Sequence, residues 1–166
     1  MPARSRLSEN NMPEPLNAVI DSTVLVSAFL TEGGVSAELL HYAREGVFVV
    51  FLSEEILTET EHALSYPRIR ARYEYTDEDV TDFLDRLRLA AQVITDLPQL
   101  TGIVRDPNDD MIIATAARAH ATYLVTRDKD LLSLETYEGI TMLIPEAFIA
   151  IVREHIRGTD EESTTP

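Results

Sequence analysis

The residues best suited to chemistry in this 166-residue sequence are acids placed where apolar runs stop. Asp21 closes the run Leu16-Asn-Ala-Val-Ile20, and Asp128 stands two residues beyond Thr122-Tyr-Leu-Val-Thr126. A carboxylate at the end of a buried strand is costly unless it has partners. Asp106, Asp109 and Asp110 open a segment that begins Asp106-Pro107, while Glu55 and Glu59 follow the run Val47-Phe-Val-Val-Phe-Leu52. Carboxylates that converge without lysine or arginine repel one another, and the stable remedies are a proton or a divalent cation. Cysteine is absent and the four histidines (His41, His62, His120, His155) lack HExxH spacing, so any metal must be held mainly by oxygen. Hard Mg2+ or Mn2+ suits such donors. An ion of this kind supplies a hydroxide nucleophile and stabilises the departing oxygen of a phosphodiester, which makes hydrolysis of a nucleic-acid strand the coherent reaction.

Each acid has a plainer role to set beside that one. Asp106 before Pro107 is a helix cap whatever else it does. Asp109 and Asp110 complement a helix dipole in the first turn, and only one of them needs to point inward. Glu54 and Glu61 belong to a solvated face opposite Ile56, Leu57, Ala63 and Leu64. Glu59 lies beside that apolar face, where the pattern alone does not separate a ligand from a rim charge. Asp130, followed by Leu131-Leu132, reads as a surface or supporting acid.

The elements that must position these residues alternate in type. Leu16–Ile20 reads as a buried strand and Val24–Leu30 as a helix broken at Gly33-Gly34. A helix over Val35–Arg44 leads into Val47–Leu52, whose lack of alternation marks a strand covered on both faces. Ser53 caps the next helix, which Tyr66-Pro67 ends. The cluster Arg68, Arg70, Arg72 reads as a solvated loop. Thr76 caps a helix in which Val80, Phe83, Leu84, Leu87 and Ala91 recur at helical period. Gln92–Thr95, Thr122–Thr126 and Gly139–Ile144 are strands, a helix runs from Asp106-Pro107 to about His120, and Pro145 starts a terminal helix. This order implies an α/β fold, three layers α/β/α around a mostly parallel sheet. In such sheets ligands bind outside the carboxyl ends of the strands, and a helix that feeds a strand begins at that same edge. The acids are drawn together there.

Length fits one domain, expected over residues 16–157, with disordered polar tails at 1–15 and 158–166. No apolar run approaches the ~20 residues that span a bilayer, and no apolar signal core follows the start, so no membrane is expected and a cytoplasmic setting is. The net charge of −15 argues against a broad phosphate-binding surface. Bound cations offset part of it, and Lys129 is the only lysine; the other bases are arginines, suited to bidentate phosphate contacts.

Four blocks, taken together and in order, resemble the PIN-domain nucleases, and among them the single-domain toxins of toxin-antitoxin systems. They are Val19-Ile-Asp21-Ser-Thr-Val-Leu-Val-Ser-Ala28, Leu52-Ser-Glu-Glu-Ile-Leu-Thr-Glu59, Arg105-Asp-Pro-Asn-Asp109-Asp-Met-Ile-Ile-Ala114 and Tyr123-Leu-Val-Thr126-Arg-Asp128-Lys-Asp-Leu-Leu132. The resemblance spans about Ala18 to Phe148. It implies that Asp21, Glu59, Asp109 and Asp128 form the catalytic and metal-binding acids, with Asp106 as a further metal ligand and Thr23 and Thr126 in support. Thr23 stands where the family often has Asn. The implied activity is Mg2+- or Mn2+-dependent endonucleolytic cleavage of single-stranded RNA, the implied partner an antitoxin protein that blocks the site, and homodimerisation is common in the group.

Two other readings compete. An enzyme or receiver phosphorylated on aspartate also places an Asp after its first strand, but a phosphatase of the haloacid dehalogenase type needs a second Asp where Thr23 stands, and the acidic pair of a receiver is missing. A non-catalytic interaction module would keep the fold without needing the full set of acids.

Overall fold

The computed structural model describes residues 15–164; the N-terminal tail expected over 1–15 falls almost wholly outside the described residues. Six strands form one sheet in the order β3-β2-β1-β4-β6-β5. They are β1 (Asn17–Ile20), β2 (Val49–Ser53), β3 (Gln92–Ile94), β4 (Tyr123–Val125), β5 (Thr136–Tyr137) and β6 (Ile140–Leu143). All pairings are parallel except β5 on β6 at one edge. Eight helices flank the sheet in a three-layer α/β/α arrangement: α1 (Ser22–Leu30), α2 (Val35–Arg44), α3 (Glu54–Leu64), α4 (Pro67–Arg72), α5 (Asp77–Ala90), α6 (Pro107–Ala119), α7 (Lys129–Leu132) and α8 (Pro145–Ser163).

The centre of the sheet is set by burial. Every residue of β1 is buried, which requires cover on both faces and explains its apolar run Ala18–Ile20. Its one polar member, Asn17, is satisfied at both ends of its amide: Nδ2 donates to the Pro15 carbonyl (3.1 Å) and Oδ1 accepts from the Thr122 amide (2.8 Å). That second bond holds the start of β4 beside β1. Register then follows, with Ile20 opposite Val125, so that Asp21 and Thr126 emerge side by side. The Asp21 amide donates to the Val125 carbonyl (2.9 Å), the last link before the chains part. α6 packs across β1, β2, β3 and β4 and carries its first turn to the same edge.

Helix ends follow local chemistry. Ser53 accepts from the Ile56 amide (3.3 Å), and Thr76 forms a capping box with Asp79. Asp106 caps α6, with Pro107 at its first position. His120 ends α6 in the left-handed region, at φ 52°.

The structure departs from the sequence reading in four places, one of them the short helix α7, which Asp128 caps. The arginine cluster lies in a short helix, α4, rather than a loop: Tyr66 and Pro67 start a new turn, Arg70 pairs with Asp77 and lies over Tyr75, and Arg72 lies over Tyr73. β5 was not expected; Glu138 and Gly139 both have positive φ and close a two-residue hairpin onto β6. α8 continues to Ser163, past Gly158 where a disordered tail was expected. Extending a nucleated helix adds a hydrogen bond for each residue fixed, so residues 158–163 stay helical although exposed. Among the described residues no single helix is long and apolar enough to cross a membrane.

Replacing Asn17 with Ala removes the side-chain acceptor of the Thr122 amide at the start of β4. Urea unfolding is expected to show a loss of about 0.5–1.5 kcal/mol, the net contribution of one hydrogen bond; an unchanged midpoint would mean that Asn17 does not hold the β1–β4 register.

Candidate metal centre

Five of the acids singled out by sequence lie at the carboxyl edge, on four different elements. Asp21 ends β1, Glu59 lies in the second turn of α3, Asp106 and Asp109 open α6, and Asp128 caps α7.

Asp21 is almost fully buried, at 1% exposure. It stands at the cap position of α1, yet its side chain makes no capping bond to that helix. It turns instead to a set of hydroxyls. Oδ2 accepts from Thr126 Oγ1 (2.7 Å) and Thr23 Oγ1 (2.8 Å), and Oδ1 from Ser22 Oγ (3.3 Å). Both threonines are themselves held, since Thr126 Oγ1 accepts from the Asp128 amide (3.0 Å) and Thr23 Oγ1 from the Arg127 amide (3.2 Å). Burial raises the Asp21 pKa above the ordinary aspartate range, and the bonds from Thr126, Thr23 and Ser22 only partly oppose it.

Glu59 is half-buried. Burial is the main cause that raises its pKa, and the charge of Asp21 is next, followed after the opposing Ser22 hydroxyl by Asp106 and Asp128. The Ser22 hydroxyl, which donates to Asp21, thus also lies where it favours the charged form of Glu59. Glu59 Oε2 is buried with no hydrogen-bond partner. At Asp109, burial first, then the charges of Asp128, Asp106, Asp21 and Glu59, push the pKa up to about 7. Among the described residues, none of these five acids forms an ion pair.

An orphaned buried carboxylate oxygen and a carboxyl that keeps its proton to about pH 7 are what a hard divalent cation would resolve. The donors fit such an ion. Thr126 and Thr23 occupy one oxygen of Asp21 and leave capacity on the other, while Asp128 Oδ1 is taken up by the amides of Asp130 (2.8 Å) and Leu131 (3.1 Å), leaving its second oxygen for the cleft.

Two acids have roles that sequence alone leaves open. Asp110, beside Asp109, is a loop clamp: its carboxylate accepts from the amides of Gly102 (3.0 Å), Ile103 (3.1 Å) and Val104 (2.9 Å). Asp130, read as a surface or supporting acid, offers an oxygen within 4.8 Å of oxygens from both Asp109 and Asp128. Arg105 reaches its carboxylate at 3.4 Å. The spacing Asp128-Lys-Asp130 in a first turn was the available signal. Sequence reasoning also missed Ser22 as the hydroxyl between Asp21 and Glu59. Glu55 is exposed and lines a groove next to the acids rather than joining them.

The comparisons with known proteins follow this geometry. Residues 17–130 match the family model of the PIN domain. An uncharacterized protein of Methanocaldococcus jannaschii is 27% identical over 119 residues, 72% of this chain and 75% of that protein. Two solved structures share the fold. One is a chain of VapBC2 from Rickettsia felis bound to a DNA fragment from their promoter, with TM-score 0.53 and 14% identity, covering 76% of this chain and 97% of that one. The other is PAE2754 from Pyrobaculum aerophilum, with TM-score 0.55 and 16% identity, covering 84% and 90%.

The neighbouring aspartates on α6 should respond to substitution with opposite signs. Folded Asp109 holds its proton up to about pH 7, whereas an unfolded aspartate releases it near ~3.9, so its presence lowers stability as pH rises between those values. Asp109→Asn is expected to raise the thermal midpoint at pH 7.5 by about 2–4 °C, the effect of ~1 kcal/mol in a domain of this size, and to lose that gain near pH 4. Asp110→Ala, which strands three amides, is expected to lower it at both pH values. A destabilised Asp109→Asn at pH 7.5 would contradict the charge assignment.

Proposed function

Because the chain belongs to the PIN-domain family, with all five acids inside the matched segment, we propose that it is a metal-dependent endoribonuclease acting on single-stranded RNA. The observation that carries the reading is the set Asp21, Glu59, Asp109 and Asp128, mutually destabilising and without basic partners at the carboxyl edge of the sheet. Asp21, Glu59, Asp109 and Asp128 would hold Mg2+ or Mn2+, with Asp106 as an additional acid. A divalent ion bound by oxygen donors activates water and stabilises the leaving oxygen of a phosphodiester.

The chain's own residues prepare that site. Thr126 and Thr23 hold one oxygen of the Asp21 carboxylate and so limit its rotation. Ser22 donates to the other oxygen. Asp110 anchors the loop before α6 and thereby holds Asp106 and Asp109 in place. Asp109 must give up its proton to act as a donor, so metal binding is favoured as pH rises through about 7.

The resemblance of the four blocks to single-domain toxins, together with the likeness to a VapBC2 chain, supports the finer reading that this is the toxin of a toxin-antitoxin pair. An antitoxin that carries basic groups would suit the charge of −15, and the same reading extends to a homodimer and a cytoplasmic RNA substrate.

With a labelled single-stranded RNA and Mn2+, Asp21→Asn and Asp109→Asn are expected to lose at least ~100-fold in cleavage rate, and Thr126→Val about 10–100-fold, as groups that orient ligands do. EDTA should abolish cleavage and Mn2+ restore it. Equal cleavage by wild type and Asp109→Asn would assign the activity to a contaminant and leave a non-catalytic module.

A further inference from the structure

Beside the acids lies an open groove of about 760 Å3 between α3 and the start of α6, lined by Glu55, Glu59, His62, Tyr66, Asn108 and Met111 among others. Its size falls within the range of small-ligand sites, and through Glu59 it is continuous with the acidic cleft. Tyr66 is the exposed aromatic on its wall, at 49%. Two features hold that ring in place. Tyr66 precedes Pro67, which restricts its backbone to the extended region seen at φ −63° and ψ 130°. The ring also packs edge-on against His62, with centroids 5.1 Å apart and Tyr66 Oη 3.3 Å from His62 Nε2.

From this arrangement we infer that the groove is a nucleobase subsite, in which an unpaired base of the RNA stacks on Tyr66 while its backbone crosses the acidic cleft; this rests on the nuclease reading above. Charge selects the occupant. The lining itself holds no lysine or arginine; of its three glutamates Glu54 is paired with Arg88, while Glu55 and Glu59 are in no ion pair among the described residues, so a phosphate is disfavoured while an uncharged base is not. The base offers a flat π face to the ring, the sequence-tolerant contact by which proteins bind single strands. The side chain of Met111 and the exposed amide of Asn108 supply an apolar floor and a hydrogen-bonding edge. A ring already fixed by Pro67 and His62 loses little freedom when a base lands on it.

The test uses the full chain with two readouts. In Mn2+-dependent cleavage of a short single-stranded RNA, Tyr66→Ala is expected to raise KM about tenfold or more, with kcat little changed, and Tyr66→Phe to keep a KM near that of wild type. In Ca2+, an oligonucleotide carrying 2-aminopurine should be quenched on binding to wild type and Tyr66→Phe, but not to Tyr66→Ala. Unchanged KM in Tyr66→Ala, or no quenching by wild type, overturns the subsite. Equal damage from Phe and Ala overturns stacking as well, because the hydroxyl and its His62 contact would then be what matters. Unchanged cleavage with loss of binding to a partner protein would make the groove a protein-docking site and also overturns it. Wild type that quenches without cleaving would leave the base subsite standing and reject the nuclease reading instead.

Discussion

Like charge concentrated at one edge of the sheet is the constraint around which this structure is arranged. Two unit charges about 4 Å apart repel by about 4 kcal/mol at an effective dielectric constant of ~20. Oxygens of Asp109, Asp128 and Asp130 fall within 4.8 Å of one another, with Asp21 and Glu59 acting on the same cleft. Repulsion of that size summed over several pairs is comparable to the whole stability of a domain, about 5–15 kcal/mol. The chain relieves it by leaving a proton on Asp109 up to about pH 7 and by surrounding Asp21 with three hydroxyls. Among the described residues, Arg105 pairs with Asp130 and no basic side chain pairs with Asp21, Glu59, Asp109 or Asp128. That restraint has a stability cost and makes sense where a cation takes the vacant role.

The rest of the fold supplies the rigidity such an arrangement needs. β1, buried on all sides, can carry Asp21 to the edge because its backbone is paired with β2 and β4, and because Asn17 locks the far end of the β1–β4 pair. Parallel topology brings the ends of β1, β2 and β4 to one side and starts α6 there, where the connection from β3 is held by Asp110, so residues from distant stretches meet. Asp110 shows how closely structural and chemical roles adjoin. It faces three loop amides while its neighbour Asp109, one position earlier on α6, faces the cleft.

Much of this was legible in the sequence, and the reasons differ by residue. Asp21 stood out because a carboxylate that ends an apolar strand has no cheap explanation, and the caps Ser53, Thr76 and Asp106 are written in local chemistry. Which of Asp109 and Asp110 points inward was not legible, since both suit a first turn and only the path of residues 102–104 decides between them. Asp130 could be read only as a surface or supporting acid because its proximity to Asp109 depends on how α6 and α7 meet. β5 and the reach of α8 were missed for a related reason: a two-residue strand has no periodicity, and a polar helix extension is held by the turns before it rather than by its own apolar face.

The central claim is that these acids are a cation site kept partly protonated in the cation's absence. Isothermal titration of the wild-type chain with Mn2+ at pH 6, repeated in buffers of different ionisation enthalpy, reads both halves of it. Saturable binding with release of about one proton, lost on Asp109→Asn, is the result expected from an Asp109 that titrates near pH 7. Absence of binding, or binding without proton release that Asp109→Asn leaves intact, would contradict it.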